Sequence, residues 1–205
     1  MITKQYTKEQ ISEVVEELNQ GSVVAFPTDT VYGVAVRYDS EQAIQKLKEA
    51  KGRPETKPFP FMVSKIEQIE KIAVLQQRDY QLIKKWFPGA MTFLFLKTND
   101  VKDTVTNGFQ TIAIRMPDDE FILELIDKVG APLLVTSANL SGGENTSTTE
   151  EVLQQLEGRI EAIVVGQSGG KQPSTIIDAT DKELKVIRQG AITLEEVEKS
   201  LKEDI

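Results

Sequence analysis

An alternation of two kinds of segment bounds this fold most tightly. Short apolar runs, "SVVAFP", "VAV", "FPFMV", "MTFLFL", "TIAIRMP", "PLLVT", "EAIVV", "STIIDA" and "LKVIRQG", are separated by longer amphipathic stretches. Runs of that length suit strands, and the longer stretches repeat their apolar residues at helical spacing. Some runs are apolar throughout and others alternate, which points to a mixed sheet covered by helices. None approaches the ~18 apolar residues of a membrane span.

The helical stretches carry their own punctuation. "TKEQISEVVEELNQG" has a capping box between Thr7 and Gln10, an apolar stripe of Ile11, Val14, Val15 and Leu18, and Gly21 as a stop. "SEQAIQKLKEAKG" is capped by Ser40, and "SKIEQIEKIAVL" pairs Ser64 with Glu67. "QRDYQLIKKWFPG" is helical to Trp86, where Pro88-Gly89 ends it; "DDEFILELIDKVG", "STTEEVLQQLEG" and "TLEEVEKSLKE" complete the set. There is no repeat, low-complexity tract or long linker, and "VGQSGGKQP" has the most flexible composition. The pattern predicts one α/β domain, α+β-like in character, over residues 1–205.

Composition matters for the chemistry. The chain contains neither cysteine nor histidine. That excludes disulfides, a thiol nucleophile, a Ser-His-Asp triad, a Cys/His zinc site and an imidazole proton shuttle. Carboxylates, Lys, Arg, hydroxyls, backbone groups and a ligand-borne metal remain. The formal net charge of -8 argues against nucleic-acid binding by the whole surface but allows a local basic pocket. "MITKQYTKEQ" has no apolar middle region like that of a signal peptide, and the chain fits a reducing cytoplasm. There is no Walker A motif: Val165 stands where its first glycine belongs, and Gln172 follows Gly170-Lys171. Nor does a G-x-G-x-x-G follow any strand.

Polar groups gather instead at strand ends. "AFPTDTVYG" puts Thr28, Asp29 and Thr30 after an apolar run, and "KGRPETKP" puts Lys51, Arg53 and Lys57 before one. "TIAIRMP" holds Arg115, "LLVTSANLSGG" ends in Thr136, Ser137, Asn139 and Ser141, "KQPSTIID" holds Ser174, and "KVIRQG" ends in Arg188. Ligands of α/β proteins bind outside strand ends, and several cations there suit a triphosphate together with a carboxylate. Singly, each element also has a structural reading. "PTDT" makes a capped turn, Lys51 and Arg53 make a solvated helix end, and Arg115 makes a buried ion pair.

Taken together, "FPTDTVYGV", "KGRP", "WFPGAMTFLF", "TIAIRMP", "SANLSGG", "STIID" and "VIRQG" occur in order from about Gly21 to Gly190. In this the chain resembles the YrdC/TsaC family of threonylcarbamoyl-adenylate synthases. The resemblance implies a twisted mixed sheet with a concave, basic cavity. It implies condensation of L-threonine, bicarbonate and ATP to threonylcarbamoyl-AMP, pyrophosphate and water. The product would pass to a transferase complex that makes threonylcarbamoyladenosine in tRNA. Carried over by position, Lys51, Arg53, Lys57, Thr111, Ser137, Asn139, Asn145 and Arg188 are expected to meet ATP. Thr30, Arg115, Val135 and Ser174 are expected to meet threonine, with Lys51, Arg53 and Arg115 catalytic. Some members have Asn at Lys57, Ser at Asn145 and His near Met62. Mg²⁺ is expected to arrive with ATP, with Asp29 in reach of it and no protein metal cage. "KGRPETKP" and "GQSGGKQP" are the lid candidates, and longer members carry a C-terminal extension domain that this chain is too short to include. Rival readings are an RNA-binding module that contacts tRNA directly, a sister branch without synthase activity, and a carbamoyl-phosphate-using relative like HypF; no membrane partner is expected.

Overall fold

Period-two strands and period-3.6 helices sort themselves onto one sheet and its two faces. The computed structural model describes residues 2–52, 56, 58–170 and 172–203. Its strands are β1 (Lys4–Tyr6), β2 (Val24–Phe26), β3 (Gly33–Arg37), β4 (Phe61–Met62), β5 (Ala73–Val74), β6 (Met91–Lys97), β7 (Thr111–Arg115), β8 (Leu133–Ser137), β9 (Ala162–Val164), β10 (Thr175–Asp178) and β11 (Lys185–Arg188). Its helices are α1 (Ile11–Asn19), α2 (Glu41–Ala50), α3 (Ile66–Ile72), α4 (Gln77–Trp86), α5 (Asp103–Thr106), α6 (Glu120–Val129), α7 (Thr149–Leu156) and α8 (Leu194–Glu203). The strands form one sheet in the order β1-β9-β2-β3-β8-β4-β7-β6-β10-β11, with β5 also paired to β6. It is mixed: β4 runs parallel to β7 and antiparallel to β8, while β6 runs parallel to β10 and antiparallel to β7.

The two faces are covered unequally. On one, Ala25, Val34, Phe61, Leu134, Phe93, Phe95, Ile112, Ile114 and Ile177 pack under residues of α2, α3, α4, α7 and α8 in a single cluster. On the other, Val24, Phe26, Ala35, Leu133, Val135, Ala162 and Val164 pack against Val14 and Leu18 of α1 and Ile122, Leu125, Ile126 and Val129 of α6. The second cover stops at the middle of the sheet. Beyond it, Leu94, Ala113 and Ile176 are only half-buried and Leu96 is 44% exposed. In β6, β7 and β10 buried residues alternate with these partly open ones, as strands covered on one face require.

Helix starts follow the caps read from the sequence, with one change. Thr7 N–H donates to Gln10 Oε1 at 3.0 Å, a 3-10 turn precedes α1, and Ala43 N–H donates to Ser40 Oγ. Ser64, however, does not box with Glu67: its N–H donates to Gln68 Oε1 at 2.9 Å, because α3 begins a residue later with Lys65 as its N-cap. β1 and α5 had no counterpart among the expected elements, and β5 replaces the end of the helix expected over "SKIEQIEKIAVL", because α3 stops at Ile72. All three are two to four residues long, too short for a periodicity to show. No described helix is long and apolar enough to cross a membrane.

Candidate functional site

Strand register sets the site. On the half-open face, Met62 pairs with Leu133 and with Arg115, and Ile176 pairs with Thr92 and with Arg188. Directly paired residues share a face, so β8, β4, β7, β6, β10 and β11 line up one side chain each. The cleft above that row is lined by Thr28 and Thr30–Gly33, Pro60–Met62, Thr92, Arg115, Val135–Ser137, Asn145, Pro173, Ser174, Ile176 and Arg188. Tyr32 anchors the first of these segments. Its ring is fully buried, its hydroxyl donates to Val164 O at 2.5 Å, and burial pushes its pKa up to about 12.

Arg115 lies at the centre, 7% exposed. Nε donates to Gly89 O at 3.1 Å, Nη1 to Thr30 Oγ1 at 2.7 Å and Nη2 to Asp29 Oδ1 at 2.6 Å. A guanidinium has five N–H donors, so two remain, the number one bidentate carboxylate takes. Burial lowers the pKa of Arg115, and the Asp29 charge and hydrogen bond oppose that fall. Asp29 is itself held, its Oδ2 accepting from Asp118 N–H at 3.3 Å. The backbone of residues 28–30 is fixed by Gly169 N–H to Thr28 O and Gly170 N–H to Thr30 O, both 2.8 Å. A Cβ on Gly169 would stand 2.6 Å from Asp29 O, so only glycine fits there.

Arg188 ends β11 and is held differently. Its Nε and Nη2 donate to Ser174 O at 3.1 and 2.9 Å, and Nη2 reaches Ser174 Oγ at 3.2 Å. Ser174 Oγ shares a 2.7 Å hydrogen bond with Thr92 Oγ1, and both residues are buried. Among the described residues no carboxylate pairs with Arg188. Burial lowers its pKa, and so does the positive charge of Arg115, so the two cations sense each other across the cleft.

The third cation approaches from beneath β8. Lys51 caps the C-terminus of α2, is 3% exposed, and donates from Nζ to Ser137 O at 2.7 Å and to Asn139 Oδ1 at 3.3 Å. Asn139 Nδ2 donates to Leu140 O and Gly143 O at 2.9 and 2.8 Å, so this amide braces its own loop around the ammonium. In the same loop, Gly142 serves a turn at φ +83°, with open space around it, and a Cβ on Gly143 would meet Gln155 Oε1 at 2.8 Å within the loop's own packing.

Of the residues singled out in the sequence, Thr30, Arg115, Val135, Ser137, Asn145, Ser174 and Arg188 line the cleft together. Lys51 and Asn139 support its wall through Ser137 without lining it. Thr111 shares the open face but stands at the far end of β7, four residues and roughly 13 Å from Arg115. Arg53 and Lys57 lie outside the described residues, as does Lys171 of the second lid candidate. Gly169 and Gly170 of that candidate are tied to the Thr28 and Thr30 carbonyls. Sequence reasoning named Thr28 without giving it a place in the site and missed Thr92. A threonine on the open side of an apolar strand, in line with Arg115, was the available signal for Thr92. Thr28 Oγ1 lies 3.2 Å from Thr30 Oγ1, donates to Val31 O and accepts from Thr30 N–H, the self-capped turn that "PTDT" allowed. The ion-pair reading of Arg115 also holds, with Asp29 as the partner.

Among the described residues no three acidic side chains stand close enough to hold a metal ion. Asp29, the one carboxylate beside the cleft that was expected in reach of Mg²⁺, has both oxygens engaged.

A family model described as Sua5_yciO_yrdC, telomere recombination, matches residues 16–190. The chain belongs to this family. The Sua5/YciO/YrdC assignment agrees with individual relatives. The chain is 38% identical over 192 residues to a Bacillus subtilis protein named threonylcarbamoyl-AMP synthase, covering 92% of this chain and 56% of that protein. A Vibrio campbellii protein of the same name is 37% identical over 183 residues, covering 87% of this chain and 97% of that one. Among solved structures, Pyrococcus abyssi Sua5 complexed with L-threonine superimposes with a TM-score of 0.89 at 33% identity, covering 97% of this chain and 60% of the other. The chain thus spans a little over half the length of the Bacillus and Pyrococcus proteins and nearly all of the Vibrio one.

Proposed function

We propose that the chain is a threonylcarbamoyl-AMP synthase acting on L-threonine, bicarbonate and ATP. The observation that carries this reading is Arg115: a buried guanidinium, braced on three sides, with two N–H groups left over at the wall of a cleft. That arrangement suits an amino-acid carboxylate, and the relatives' shared name and the threonine complex of the Pyrococcus structure support it.

The amine of threonine and bicarbonate combine to a carbamate with loss of water. A carbamate oxygen then attacks the α-phosphorus of ATP, and the bond to pyrophosphate breaks. The nucleophile is anionic once formed, so a chain without histidine or cysteine lacks nothing the step needs. What the protein supplies is alignment, worth ~7 kcal/mol or more, and fixed cationic donors. Arg115, Thr30 and Ser174 hold threonine against the Val135 wall. Arg188, Ser137 and Asn145 face the phosphates, with the Lys51–Asn139 pair bracing Ser137 from behind, and Thr111 meets the nucleotide further along the open face. Mg²⁺ enters with ATP as part of the substrate. The product, a mixed anhydride, passes to a transferase that modifies tRNA.

The test is direct. Purified chain is incubated with ATP, threonine and isotopically labelled bicarbonate, and adenylate is detected by mass. Labelled threonylcarbamoyl-AMP with threonine-dependent pyrophosphate release is expected. Absence of both would refute the reading.

A further inference from the structure

The cleft contains two arginines of unlike electrostatic standing. Arg115 carries its own counter-ion, Asp29 at 2.6 Å, fixed in turn by Asp118 N–H and by the close packing of Gly169. Arg188 is held by neutral oxygens of Ser174, with no carboxylate partner among the described residues. Asp29 does not line the cleft, so it meets a ligand's charge through and beside the guanidinium.

A synthase of this kind faces a sorting problem. Its ligands include a polyanion and an amino acid, and a bare buried arginine attracts the polyanion more. We propose that Asp29 is the specificity-determining residue that keeps polyphosphate off the amino-acid end of the cleft. The inference rests on the synthase reading for the identity of the two ligands. The Asp29–Arg115 pair is close to neutral, and a zwitterion, also neutral, docks on it without adding net charge. A polyanion brings excess negative charge to within a few ångströms of the Asp29 carboxylate, where solvent screens poorly. The same polyanion meets no such opposition at Arg188. Selectivity arises from a built-in repulsive element as much as from attraction.

The probes are threonine and inorganic pyrophosphate, measured on the whole chain by calorimetry and needing no turnover. In the wild type, pyrophosphate should leave threonine binding unchanged. In Asp29→Asn, nearly the same shape without the charge, pyrophosphate should displace threonine competitively, with the ratio of pyrophosphate to threonine affinity raised at least ten-fold. Asp29→Glu keeps the charge and should keep the exclusion. The double variant Asp29→Asn/Arg115→Ala should lose the gained pyrophosphate affinity, read by direct titration with pyrophosphate alone. A gain of binding cannot come from a damaged fold, and a cooperative thermal melt with the wild-type circular-dichroism spectrum confirms that Asp29→Asn is intact. The inference is overturned if pyrophosphate displaces threonine equally from wild type and Asp29→Asn, if Asp29→Glu behaves like Asp29→Asn, or if wild type binds no threonine. Threonine binding without adenylate formation would instead refute the synthase reading and leave the Asp29 measurement valid.

Discussion

Arg115 and Arg188 project from the same sheet face with two strands between them, yet they solve the problem of a cation in a cleft in opposite ways. Arg115 is 7% exposed and has an ion-pair partner; Arg188 keeps more contact with solvent and has only carbonyl and hydroxyl partners. Burial explains the difference. A guanidinium withdrawn from water needs a counter-charge, whereas one in partial contact with solvent does not. The lesson is that basic residues in one cleft are not interchangeable. One is part of the structure and has two donors to spare; the other is held only by neutral oxygens.

Breaking each arginine in turn gives the largest contrast. Arg115→Ala should lower stability by about 3 kcal/mol, since it strands a mostly buried carboxylate. It should also abolish threonine binding while sparing much of ATP binding, as read by denaturant melts and calorimetry; equal loss of both ligands would erase the distinction. Gly169→Ala attacks the same end indirectly. The new methyl must push the backbone of residue 29, at a cost of about 2 kcal/mol in chemical denaturation, and threonine affinity should fall before ATP affinity. Arg188→Ala should weaken ATP about ten-fold, with the loss shrinking as salt rises, and should cost at most about 1 kcal/mol of stability because no carboxylate is stranded. An Arg188→Ala variant as unstable as Arg115→Ala would break the comparison. Thr92→Val is the mildest: it removes one buried hydrogen bond to Ser174, about 1 kcal/mol, and should raise the KM for threonine a few-fold with kcat nearly unchanged.

Much of this was legible in the chain. Period-two and period-3.6 patterns located the long elements, since burying one face leaves a repeating trace. The cleft's polar residues were visible because hydroxyls, amides and guanidinium groups at strand ends contrast with the apolar runs beside them. What was hidden depends on strand order. That Arg115 meets Asp29, eighty-six positions away, follows from bringing β7 beside the loop after β2, which no local pattern encodes. The same holds for Thr92 and Ser174, eighty-two apart, joined only because β6 and β10 run parallel in register. The loop-bracing contacts of Asn139 were hidden for a simpler reason. An amide has as many uses in bracing a loop as in touching a ligand, and sequence does not distinguish them.

The uneven cover of the sheet has a thermodynamic corollary. A layer missing from half of one face makes whatever docks there an honorary piece of the architecture, so occupancy and resistance to heat rise together. A melting curve recorded against a panel of small molecules thus doubles as a census of what this chain accepts.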